Sequence, residues 1–140
     1  MILLYRLRML EFPDSVAKRI GLFGLVIFFS GIGALHFVDP DSFVASMPAY
    51  LPLHLELVYL SGIFEIGLGV AVLIPGLRRW AGYGLVALLV AVYPANVNMA
   101  LHPEPFVADG VSLGFIYARL PFQFLFMYWA VWATRPDSVS

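Results

Sequence analysis

The chain contains no cysteine. A disulfide framework, a thiol redox pair and thiolate metal ligands are therefore excluded together. Charge is scarce as well. Of 140 residues, 12% are charged and 61% hydrophobic, and the mean hydropathy is +0.89. A water-soluble domain carries about a quarter of its residues as charges, and so few cannot cover the surface of a soluble globule. Lipid is the expected solvent. The net charge is −1 and the basic residues fall in ones and twos, so no clustered basic face is available for nucleic acid.

What the chain does have is long apolar runs. A membrane span takes roughly 20 mostly apolar residues, and four stretches qualify: Ile20–Val38, Leu53–Ile74, Ala81 to about Ala100, and Leu113–Ala133. Proline fixes φ and lacks an N–H, so its clusters mark the breaks. Asp39–Pro40 ends the first run, Pro48 and Pro52 bracket the start of the second, and Pro75–Gly76 turns into the third. His102–Pro103–Glu104–Pro105 precedes the fourth. The first run lies far from Met1 and has no small-residue cleavage site, so it reads as an uncleaved anchor rather than a signal peptide. Residues 1–17 are either an interfacial segment, with Arg6 and Arg8 in Ile2–Leu10, or a plain cytoplasmic tail.

Orientation follows from where the cations fall. Arg6, Arg8, Lys18 and Arg19 precede the first span, Arg78 and Arg79 sit between the second and third, and Arg135 follows the fourth. An even number of spans puts all of these on one side. The opposite loops carry Asp39, Asp41, Glu104 and Asp109 and no Lys or Arg. The expected fold is an all-α four-transmembrane-helix bundle with both termini cytoplasmic.

Polar residues inside the spans are the functional candidates. Glu65 lies twelve positions after Leu53, so ~18 Å deep at ~1.5 Å per residue. A carboxylate there costs several kcal/mol unless paired or neutral, ~2.5–3.5 on insertion scales for the worst charges. Gly62, Glu65 and Gly69 share one helix face, with Ser61 a turn away, and a small-and-polar stripe lets another helix approach closely. Arg119, ~9 Å into the fourth span, is the expected partner of Glu65 or Glu56, and Gln123 follows it by one turn. Glu56 faces roughly away from Glu65 and reads as an interfacial carboxylate. Pro94 should kink the third helix and free the Val90 carbonyl for Asn96 or a neighbouring helix. Asn98 points away from Asn96, toward the headgroups.

By topology His36, Glu56, Asn96, His102 and Arg119 gather toward the outer side of the bundle. That set can bind a metal, a quinone carbonyl or a hydroxylated ligand, or it can be ordinary boundary polarity. No metal motif of strong spacing is present. The loop 39–52 reads as a short helix-and-turn cap or as an interfacial anchor.

A series of short motifs runs through the chain. It begins with His36–Phe37, Pro40–Asp41–Ser42–Phe43, Pro48 and Leu51–Pro52. The run from Leu57 to Gly69, containing Ser61–Gly62 and Glu65, comes next. Then come Pro75, Arg79, Ala81–Gly82, Pro94–Ala95–Asn96 and Arg119–Leu120–Pro121–Phe122–Gln123. In this order they resemble the DoxX-like membrane proteins, over residues 18–136. The resemblance implies a compact four-helix domain in a bacterial cytoplasmic (inner) membrane, loosely tied to redox systems that include quinone reduction. Distant animal relatives resemble assembly chaperones. Residue by residue it singles out His36, Ser61, Glu65, Asn96 and Arg119.

The resulting expectation is an accessory membrane subunit, not catalytic on its own, that touches a quinone or another small apolar ligand. Its candidate ligand-binding residues are Glu65, His36, Ser61, Asn96, Arg119 and Gln123. The expected partners are the lipid bilayer and either a redox protein or a second copy. The alternative is an assembly or scaffold protein acting through its glycine-rich helix face. Ion conduction needs a continuous polar path, which the aliphatic run Leu85–Val92 interrupts.

Overall fold

The computed structural model describes residues 2, 3 and 12–136. Among them every element is a helix: α1 (Val16–Val38), α2 (Pro40–Ser46), α3 (His54–Ala71), α4 (Arg78–Leu101), α5 (Glu104–Ala108) and α6 (Leu113–Thr134). All but the first two residues of the segment Ile2–Leu10, read above as interfacial or a tail, lie outside the described residues.

Three of these helices, α1, α3 and α4, are long and apolar enough to cross a membrane. α6 has comparable length, 22 residues, but Arg119, Gln123 and its Tyr and Trp residues make it less apolar. Helix bounds follow local chemistry. α1 begins four residues before the expected Ile20 because the Ser15 side chain accepts the Lys18 N–H at 3.4 Å, an N-cap. It stops at Asp39, where Pro40 cannot continue the ladder and instead opens α2 at N1. Leu53, with φ 54°, turns the chain into α3.

One end of the bundle carries the start of α1, the 72–77 hairpin and the end of α6. Lys18 Nζ donates to the carbonyls of Arg135 and Pro136 at 3.2 and 3.3 Å, a cation on the closing turn of α6. Arg78 is buried there. Its Nε donates to the Val72 carbonyl at 2.8 Å and its Nη2 to Leu73 at 3.4 Å, and it lies over the Phe12 ring. Above this end Leu22, Leu25, Phe29, Val72, Ala81, Leu85, Leu89, Ala130 and Ala133 form a solid apolar core.

Lipid is as apolar as leucine, so close van der Waals approach has to hold such helices together. Here small residues supply it, and the four long helices assemble as two tight pairs, α1 with α3 and α4 with α6. Gly33 and Gly62 meet backbone to backbone: a Cβ at Gly62 would stand 2.9 Å from the Gly33 carbonyl oxygen and 2.8 Å from His36 Cβ. In the second pair Gly82 lies against Thr134. Trp129 packs on Gly24 and donates from its indole nitrogen to the Gly21 carbonyl at 3.1 Å, tying α6 to α1. Away from the apolar core the two pairs separate, and a cavity opens between them.

Candidate functional site

The cavity has a volume of about 1180 Å³ and is lined by all four long helices. Its floor is aromatic, formed by Phe28 and Phe29 from α1 and Phe126 from α6. Phe28 lies edge-on to Phe29 at 5.2 Å between centroids and 4.8 Å from Phe126. The floor rests directly on the apolar core. At the other end α2 and α5, with the loops beside them, roof the cavity through Phe43, Met47, Phe106 and Val111.

All six candidate residues line this one space: His36, Ser61, Glu65, Asn96, Arg119 and Gln123. Glu56 and His102 do not. Both are exposed, Glu56 as expected of an interfacial carboxylate, and His102 because it caps α4 outside the roof.

On the α1–α3 wall, Glu65 is 6% exposed and His36 5%. The close approach at Gly33 and Gly62 brings Glu65 Oε2 to 3.3 Å from His36 Nδ1. That nitrogen is nearer to the Ile32 carbonyl, at 2.8 Å. A carbonyl only accepts, so Nδ1 carries the hydrogen and aims it at Ile32. The contact with Glu65 is close but not a hydrogen bond, and Oε2 has no hydrogen-bond partner among the described residues. Phe43 of α2 stacks on the imidazole at 3.8 Å, closing it off from above.

The expected pairing of Arg119 with Glu65 or Glu56 is not formed. The Glu65 face of α3 is turned to α1 by the glycine contact, whereas Arg119 belongs to the other helix pair, across the cavity. Its Nη1 contacts Met99 Sδ at 2.9 Å, and its guanidinium carbon lies 5.8 Å from the centroid of Phe115.

On this α4–α6 wall the amides are locked together. Asn96 Nδ2 donates to Gln123 Oε1 at 3.0 Å, and Gln123 Nε2 donates to the Leu89 carbonyl at 2.6 Å. Gln123 is 2% exposed. A neighbouring-helix amide does reach the stretch before Pro94, as expected, but it takes the carbonyl of Leu89 rather than that of Val90. α4 remains helical through Pro94 to Leu101. Asn98 does not extend to headgroups. It donates to the Ser46 carbonyl at 2.9 Å, fastening α2, the short helix of the 39–52 cap, over the cavity.

Sequence reasoning missed Met99, an apolar residue whose spacing does not mark it as the neighbour of a guanidinium. Phe43 was expected in the 39–52 cap, but its stacking on the His36 ring was not. α5 was legible in part, because Pro103–Glu104–Pro105 places proline at a helix start as readily as in a turn. Phe106 from α5 is buried against Met99 and Ile116. Among the described residues no group of three or more His, Asp or Glu could hold a metal.

Residues 25–134 match the model of a family described as a domain of unknown function (DUF8561). No curated protein and no solved structure matches the chain.

Proposed function

The chain belongs to the DUF8561 family, to which no function is attached, and from that starting point we propose that it is a membrane-embedded accessory protein holding an apolar ligand with an oxygen-bearing head. One observation carries the reading: six polar side chains from four helices line a single cavity whose floor is aromatic. A pocket of mostly apolar lining with a few convergent polar groups is the usual form of a small-molecule site. Glu65 strengthens it. An unpartnered buried carboxylate oxygen costs about 1–3 kcal/mol or more, and a fold that retains one has a use for it.

The membrane placement belongs to the same proposal. At ~1.5 Å per residue, 22 residues reach ~33 Å, so α6 is read as a fourth span alongside the three apolar helices. Lys18, Arg19, Arg78, Arg79 and Arg135 belong to the end that carries the start of α1, the 72–77 hairpin and the end of α6, which favours a cytoplasmic side there; the bacterial inner membrane is what the DoxX-like resemblance implies. A quinone-linked redox process is what the resemblance to DoxX-like proteins implies for this reading, and a quinone carbonyl is one head of the required kind. The solid core beneath the cavity argues against conduction. The scaffold alternative calls on the glycine-rich face of α3, but Gly62 and Gly69 are spent on α1 inside the fold.

Mass spectrometry of an organic extract of protein purified in mild detergent tests the reading. A defined apolar molecule with an oxygen head should accompany the wild type and fall several-fold in Glu65→Gln, which keeps the side-chain shape. An extract of only detergent and bulk phospholipid, with no thermal stabilisation by short-chain ubiquinone or fatty acid, refutes it.

A further inference from the structure

Within the cavity the polar groups differ in how much bonding capacity they have left. Asn96 and Gln123 are committed to each other and to the Leu89 carbonyl. Arg119, one turn from Gln123, is not. Among the described residues its only polar contact is the thioether of Met99, a weak acceptor, while a guanidinium carries five N–H donors and keeps its charge in any protein environment. Met99 is 5% exposed, so this contact draws the guanidinium inward, away from the headgroup region where a long cation would otherwise settle. No carboxylate pairs with Arg119 among the described residues: Glu65 stands against His36 on the opposite wall, and the exposed Asp109 lines the cavity without reaching it.

We propose that Arg119 is an oxyanion receptor and that the ligand is an amphipathic acid, a long apolar chain ending in a carboxylate or phosphate. This rests on the reading that the cavity holds a ligand and narrows its head from a neutral carbonyl to an anion. The planar guanidinium fork matches both oxyanions with two parallel hydrogen bonds. The chain lies on the aromatic floor. The exposed Asp109 carboxylate at the roof repels an anion, and Glu65 stands on the opposite wall, which leaves the head its place at Arg119. The same chemistry is available from a free acid and from an anionic phospholipid whose tails enter between the helix pairs.

Trp129 reports on occupancy, because its ring lies 5.8 Å from Phe28 and 6.4 Å from Phe126 at the cavity floor. In nonionic detergent, 9,10-dibromostearate and the corresponding dibromo alcohol share a bromine quencher and differ only in the head. The wild type should bind the acid at least tenfold more tightly than the alcohol. Arg119→Gln should bring the two within twofold, and Arg119→Lys should keep part of the preference. Equal affinities in the wild type overturn the proposal, as does a preference that survives in Arg119→Gln. Quenching by neither probe removes the cavity reading itself, whereas quenching by both without preference removes only the oxyanion. Displacement of the bound acid by phosphatidylglycerol but not by phosphatidylcholine identifies a lipid source, and displacement by neither identifies a free acid.

Discussion

Gly62→Ala is the sharpest test of how the site is built. A methyl group at Gly62 would stand 2.8 Å from His36 Cβ, 2.8 Å from Phe37 Cε2 and 2.9 Å from the Gly33 carbonyl oxygen. Carbon pairs are comfortable at about 3.5–4.0 Å, so something must give by roughly 1 Å. The carbonyl is backbone and His36 Cβ is fixed to it, so the helices themselves must part. Overpacking of this kind costs about 1–3 kcal/mol, while replacing glycine by alanine within a helix returns about 1 kcal/mol of propensity. Gly67→Ala supplies the control. It lies in the same helix, gains the same propensity, and meets nothing within 4 Å, so the difference between the two variants isolates the clash. At about 3 °C per kcal/mol for a chain of this length, Gly62→Ala should unfold about 3–9 °C below Gly67→Ala in a detergent melt followed by circular dichroism. Because Glu65 and His36 lie one turn or less from the contact, ligand binding should weaken in the same variant. Equal midpoints for the two variants would refute the argument that the glycine contact sets the α1–α3 spacing.

Two further outcomes can be measured on the same protein. A double-mutant cycle of Asn96→Ala and Gln123→Ala should give a coupling of about 0.5–1.5 kcal/mol, within the range found for side-chain hydrogen bonds in membranes; additive effects would mean that the amide clamp contributes nothing. Since the chain has no native cysteine, single cysteines at Tyr50 and Leu77, both exposed and at opposite ends, can be labelled with an impermeant maleimide. Tyr50→Cys should react in intact cells and Leu77→Cys only after disruption, and the reverse pattern would overturn the proposed orientation.

Much of the architecture could be read from residue order alone. Apolar runs bounded by proline place the four long helices to within a few residues, because helix length and termination are local properties of the chain. The face shared by Gly62, Glu65 and Gly69 was legible for the same reason, since a helical wheel depends only on spacing. Glu65 is found buried, and the glycines beside it are the ones that meet α1.

The identity of each neighbour was decided by the tertiary structure. A wheel states which residues share a face but not which helix that face meets, so charge complementarity made Arg119 the obvious partner of Glu65. Backbone contact at Gly33 and Gly62 instead turns that face to α1 and gives Glu65 a histidine. Arg119 is left across the cavity beside a thioether and a ring. The cavity exists because small residues draw the helices together as two separate pairs. No position along the chain records the space between them.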